Sequence, residues 1–189
     1  MVFFLTRLFR FSGKNTASSI LLLLLVCAAR AETDHYASGL RLMDDKHYAE
    51  AISSFEKHLD NNPKDSRTLN NIGFAYYKQG DLKNAEAYYS QAVKADDKYS
   101  VAYNNLGIAL YHQEKYEGAK KNFEKAIELN PLYAKAMINL GLIYLQAGDK
   151  KTSKEWYQKA KAADKEYVGL RRKSAEVKDQ KGELNLPKK

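Results

Sequence analysis

The triplet Asn105-Leu106-Gly107 decides how this chain is read, because it returns at a fixed interval. Asn71-Ile72-Gly73 stands 34 residues before it, and Asn139-Leu140-Gly141 stands 34 residues after it. Gly39 extends the glycine series by one further period. Ala51, Ala85, Ala119 and Ser153 keep the same interval, as do Phe55, Tyr89, Phe123 and Tyr157, and so do His58, Ala92, Ala126 and Ala160. Pro63 and Pro131 lie two periods apart. Self-similarity at such a period marks an array of one supersecondary unit stacked on copies of itself.

Within one period the residue types describe two helices and two stops. Gly80-Asp81 and Gly148-Asp149 read as turns, Gly supplying φ > 0 and Asp capping the next helix. Asn62-Pro63 and Asn130-Pro131 end the second helix, since Pro cannot continue it. Composition agrees: only 3 prolines and 10 glycines occur in 189 residues, 44% are hydrophobic, and Ala, Leu, Lys and Glu are strong helix formers.

These positions carry a resemblance to the tetratricopeptide repeat family, whose pattern is an aromatic, Leu-Gly, Tyr, Ala, aromatic, Ala and Pro. Residues 100–133 supply Tyr103, Leu106, Gly107, Leu110, Ala119, Phe123, Ala126 and Pro131 at those places. The resemblance implies an all-α fold, a right-handed α–α superhelix of four 34-residue units at 32–65, 66–99, 100–133 and 134–167. Gly on the first helix and Ala on the second are expected to let the backbones approach. The aromatics Phe55, Tyr89, Phe123 and Tyr157 are expected to fill the groove between adjacent units. The first unit is degenerate, with His35 and Ser38 where an aromatic and a Leu belong. After the fourth, Tyr167, Leu170, Ser174 and Val177 form one helical stripe, which predicts a capping helix over 168–181. A disordered basic tail is expected over 182–189.

The net charge of +8 sits at the ends. Residues 1–31 contribute Arg7, Arg10, Lys14 and Arg30 with no acid, and residues 168–189 hold seven basic and three acidic side chains. Residues 32–167 balance 20 of each sign, so no basic stripe points to nucleic acid. The first 31 residues have the parts of a secretory signal: a basic stretch, the apolar run from Ile20 to Val26, and Ala29-Arg30-Ala31 as a small-x-small cleavage pattern. Cleavage would begin the mature chain at Glu32 and remove Cys27, the only cysteine. An organellar transit peptide, an uncleaved anchor, and a lipoprotein box at Leu24-Leu25-Val26-Cys27 are the rival readings. The expected location is therefore exported, periplasmic or secreted. Membrane attachment is expected only if the signal is retained or Cys27 is lipidated.

The family's usual binding surface is the concave face lined by the first helix of each unit. By period, Asn71, Asn105 and Asn139 form a ladder there, with Asn70 and Asn104 beside the first two. Met43, Tyr77, Tyr111 and Leu145 make a second row, and Arg67, Val101 and Lys135 a third. Regularly spaced amides suit the backbone of an extended peptide, and tyrosines add contact area at small entropic cost. On this reading the amides are hydrated in the free chain, and replacing Asn71, Asn105 and Asn139 together spares stability. Members of the family that clamp an acidic chaperone C-terminus use Lys and Asn, then Asn, then Lys and Arg. Only Asn105 and Lys135 fit in the best register, so this clamp is not expected.

Catalytic patterns are not present in the sequence. His35, His47, His58 and His112 show no metal-ligand spacing, and there is no phosphate loop, nucleophile elbow or Cys–His pair. The chain reads as a non-enzymatic adaptor for a protein or peptide, with no cofactor, metal, nucleic acid or small-molecule substrate, serving envelope assembly or secretion. A structural subunit permanently packed in a complex is the alternative.

Overall fold

The computed structural model describes residues 35–163. The signal-like segment with Cys27, the outermost residues of the first and fourth units, the expected capping helix and the basic tail lie outside the described residues. The described residues form eight α-helices: α1 His35–Asp44, α2 Tyr48–Asn61, α3 Ser66–Lys78, α4 Leu82–Ala95, α5 Ser100–His112, α6 Tyr116–Leu129, α7 Ala134–Gln146 and α8 Lys150–Ala163. Each helix packs on its neighbours in sequence, giving four hairpins stacked in order. The first helices also meet across a repeat, α3 on α5 and α5 on α7, and no comparable approach joins the second helices among the described residues. The array therefore draws its first helices together on one side.

The stops fall where turn chemistry places them. Gly80 and Gly148 both take φ 83°. Asp81 Oδ1 accepts from the Asn84 N–H at 3.0 Å and Asp149 Oδ1 from the Thr152 N–H at 3.0 Å. At the equivalent turns of the first and third repeats, Lys46 (φ 63°) and Glu114 (φ 61°) occupy the left-handed region instead. Asn62 and Asn130 cap the C-termini of α2 and α6, directly before their prolines.

The aromatic at each second helix corrects one expectation. A Cβ on Gly39 would lie 2.4 Å from the ring of Phe55, on Gly73 2.8 Å from Tyr89, and on Gly107 2.5 Å from Phe123. The glycine makes room for a ring of its own repeat, so the ring chiefly fills space inside the hairpin. It then reaches the next repeat from there, as Phe55 does in the cluster it shares with Ile72 and Ala75. The fourth repeat differs. A Cβ on Gly141 would meet nothing nearer than 3.4 Å, and Tyr157 is only half-buried.

Polar side chains add stitches between repeats. Gln113 donates to the Leu82 carbonyl at 3.2 Å and to Glu86 at 2.7 Å, and Lys115 donates to Glu86 at 2.7 Å. Burial works to raise the Glu86 carboxyl, but these hydrogen bonds and the Lys115 charge outweigh it and hold it below its ordinary range. In the first repeat, His58 pairs with Asp65 at 3.3 Å and lies against the ring of Tyr36.

Candidate functional site

Helical rotation sorts the residues of each first helix around its glycine. On α3, Gly73 points at its own hairpin partner, and a step of one residue turns about 100° away from it. That step brings Phe74 to the surface. Arg67 and Lys78, separated from Phe74 by seven and four residues, share its stripe. Period carries the stripe through the array. Leu40, Phe74, Ile108 and Leu142 form its centre, with Arg67, Val101 and Lys135 along one border and Lys78 and His112 along the other. Leu40 is 40% exposed, Phe74 38% and Val101 37%, while Ile108 and Leu142 are half-exposed.

The Asn ladder lies deeper, beside this stripe, and it is committed to the protein itself. Asn105 Nδ2 donates to Asn70 Oδ1 at 2.9 Å, Asn139 Nδ2 donates to Asn104 Oδ1 at 2.9 Å, and Asn71 Nδ2 donates to the Tyr36 hydroxyl at 3.3 Å. Every rung joins residues 35 apart, one period plus one. The amide at one position reaches back to the acceptor preceding its counterpart in the repeat before. Asn104 also donates to Asn105 Oδ1 at 3.4 Å. Asn70, Asn104 and Asn139 are buried, at 5%, 2% and 7% exposure. The expectation that the ladder amides are hydrated in the free chain is therefore corrected for Asn139, which is buried, whereas Asn71 and Asn105 are half-buried and donate within the chain. The rungs are inter-repeat hydrogen bonds, and buried polar groups require such partners.

The tyrosines obey the same rule in part. The Tyr77 hydroxyl and His112 Nε2 share a hydrogen bond of 3.0 Å, again across 35 residues. Tyr111 meets His112 and Tyr116 edge-on, and burial raises its phenol above the ordinary range. His112 is held below its ordinary value by desolvation. Phe74 stacks on Tyr77, and the Lys78 ammonium lies 5.1 Å from the Phe74 ring centre. Arg67 and Lys135 are exposed at the border.

Between the second and third repeats the stripe opens into a shallow niche lined by Phe74, Tyr77, Tyr89, Asn105 and Ile108. No Asp or Glu occurs on α3, α5 or α7. The surface is thus apolar and aromatic at its centre, cationic at its borders and free of carboxylates over three repeats. Sequence reasoning named one border, Arg67, Val101 and Lys135, and missed the centre and the border at Lys78 and His112, because an apolar residue beside a buried glycine reads as core. The usable signal was rotation: the position after each glycine cannot face the same hairpin partner. Among the described residues no three His, Cys, Asp or Glu side chains are grouped to hold a metal, and no helix is long and apolar enough to cross a membrane.

A family profile described as tetratricopeptide repeat matches residues 64–131 and, one period on, residues 98–166, together more than half of the chain. No curated protein sequence matches it significantly. Among solved structures, the crystal structure of MamA is 26% identical, with a TM-score of 0.62 over 75% of this chain and 86% of that one. The first TPR of Spaghetti (RPAP3), solved bound to the HSP90 peptide SRMEEVD, is 28% identical, with a TM-score of 0.59 over 60% of this chain and 90% of that one. PilF of Pseudomonas aeruginosa, 23% identical with a TM-score of 0.67 over 78% and 68% of the two chains, shares the fold.

Proposed function

This chain belongs to the tetratricopeptide repeat family, and from that premise we propose that it is a non-enzymatic adaptor holding an extended peptide of a partner protein along its first helices. The observation that carries the proposal is the row Leu40, Phe74, Ile108 and Leu142, exposed at its first two members and partly exposed at the last two, at one-repeat spacing beside an amide ladder whose hydrogen bonds are made within the chain. Leu132, in a loop, and Leu145 are exposed as well; what sets this row apart is its recurrence at one place in four successive first helices, as a contact surface for a repeating ligand requires. The niche between Phe74 and Ile108, about 30 Å³ in volume, has room for a methyl-sized tip of one peptide side chain. Arg67, Lys78 and Lys135 favour a segment without net positive charge, since no acid on these helices would pair with one.

In this reading Arg67 and Lys135 border the peptide, and Tyr77 and Tyr111 offer it aromatic contact area. Asn70, Asn71, Asn104, Asn105 and Asn139 serve the site by fixing the register of the repeats that form it, and Asn105, at the niche, touches the peptide as well. The solved complex of the RPAP3 repeat with an HSP90 peptide supports a peptide as the ligand class. The signal-like residues 1–31 support an exported location and a role in envelope assembly or secretion. The test is selection of displayed random peptides on the immobilised full-length chain. Peptides enriched in apolar and aromatic residues are expected, and Phe74→Ser with Leu40→Ser should weaken them roughly tenfold to a hundredfold while lowering the melting temperature less than Phe123→Ala does, since both side chains are only partly covered. Binding that survives both substitutions would place the ligand elsewhere.

A further inference from the structure

The described residues ahead of α8 are nearly neutral, with 14 basic and 15 acidic side chains over residues 35–149. Helix α8 then carries five lysines and one glutamate in 14 residues. Lys150, Lys154 and Lys161 lie on one stripe of the helix, at spacings of four and seven, and Lys151 is one step round from it. All four are exposed. None of them takes part in an ion pair among the described residues. Lys159 is differently placed, its ammonium 4.1 Å from the centre of the Trp156 ring. Helix α8 packs its Ser153 and Ala160 side inward and is the last described element of the stack, held by α7.

Folding does not ask for these charges. Lys150 and Lys151 stand in the first turn, where the helix dipole favours acids. Lys150 and Lys154 repel each other at i,i+4. Cations placed against local preference, concentrated on one outward face of an otherwise neutral array, mark a surface that meets negative charge.

We propose that this face of α8 docks on the surface of an anionic phospholipid bilayer, independently of the peptide-binding reading. A planar, smeared negative potential suits lysines, which act as hydrated point charges without fixed directional demands. Nucleic acid is the poorer fit. The face has no arginine fork for phosphate or base edges, and its aromatic rings are occupied: Trp156 and Tyr157 pack into the core of the last hairpin and Trp156 is covered by Lys159.

The test is co-sedimentation of the full-length chain with vesicles of phosphatidylcholine, with and without phosphatidylglycerol. The basic ends, residues 1–31 and 168–189, also attract anionic lipid, so the α8 contribution is read from variants that leave both ends intact, and the neutral vesicles subtract only apolar attachment. Binding that needs phosphatidylglycerol and weakens with salt is expected. Lys150→Glu, Lys151→Glu, Lys154→Glu and Lys161→Glu together should reduce it by about a hundredfold or more. A control with the same change in net charge, Lys46→Glu, Lys57→Glu, Lys64→Glu and Lys94→Glu, should lose far less. The α8 variant should melt close to the parent, since Lys150→Glu and Lys151→Glu favour the helix dipole while Lys161→Glu, in the last turn, opposes it. Equal losses in the two variants, no dependence on phosphatidylglycerol, or tighter binding to an oligonucleotide than to the vesicles would each overturn the proposal.

Discussion

Gly107 and Gly141 occupy the same place in two successive repeats and meet different surroundings. A Cβ on Gly107 would lie 2.5 Å from the buried ring of Phe123, whereas on Gly141 the nearest atom would be 3.4 Å away, at ordinary contact distance. Gly107→Ala should therefore cost about 1–3 kcal/mol, the usual penalty for overpacking. Gly141→Ala should be neutral or stabilising by up to about 1 kcal/mol, as helix propensity favours Ala. Thermal melts of the two variants check the contrast. A similar depth argument governs Asn104, which is 2% exposed and accepts from Asn139. Asn104→Ala strands a buried donor and should destabilise the fold by about 1–3 kcal/mol. Replacing Asn71, Asn105 and Asn139 together, expected from the sequence to spare stability, removes the donors of these same rungs and should also lower it. Period told which residues share a row on the first helix, but not how far each row sinks between neighbouring repeats. That depth depends on the close approach of α3, α5 and α7, which no single residue announces.

Whole helices and turns were more legible, because their stops are written in residue types. Gly80-Asp81, Gly148-Asp149, Asn62-Pro63 and Asn130-Pro131 each end or begin a helix for a local steric or hydrogen-bonding reason. The turns at Lys46 and Glu114 were not legible in this way. Helices packed on both sides force these two side chains into positive φ (63° and 61°), against their own preference. Lys46→Gly and Glu114→Gly should each raise stability by about 1 kcal/mol, read as denaturation midpoints. Acid sensitivity also belongs to the elements. Desolvation holds His112, at the end of α5, below its ordinary 6.5. Its unfolded form takes up a proton first, so stability is full above about that pH and falls as pH drops through it. Asp65 caps α3. Burial works to raise its carboxyl, and hydrogen bonds from Thr68, the Arg67 N–H and His58 overcome this and hold it below 3.8. Its contribution is present above 3.8 and lost as pH falls further. Melting temperature should thus decline in two steps, the first beginning near pH 6.5 and the second below about pH 4. His112→Gln should remove only the first.

At the scale of the molecule, four hairpins stabilise one another only through neighbours, so stability is a sum of repeat and interface terms. Deleting residues 134–189 removes α7, α8 and the C-terminal residues beyond them. It should leave a less stable array that still gives a helical circular dichroism spectrum; loss of all helicity would contradict a nearest-neighbour solenoid. Phe123→Ala, which empties a ring site at 1% exposure, should cost about 3–5 kcal/mol because it serves both its own hairpin and the cluster shared with Leu140 and Ile143. The same stacking that builds this core also lines up Leu40, Phe74, Ile108 and Leu142 on one open face, and peptide capture there is the central claim. The most direct measurement is methyl and amide NMR of the full-length chain titrated with a selected apolar peptide. Shifts centred on Leu40, Ile108, Leu142 and the amides of Phe74 and Tyr77 are expected, with the second helices largely unmoved. Shifts centred instead on α4, α6 or the exposed loop around Leu132 would contradict a binding face built from the first helices.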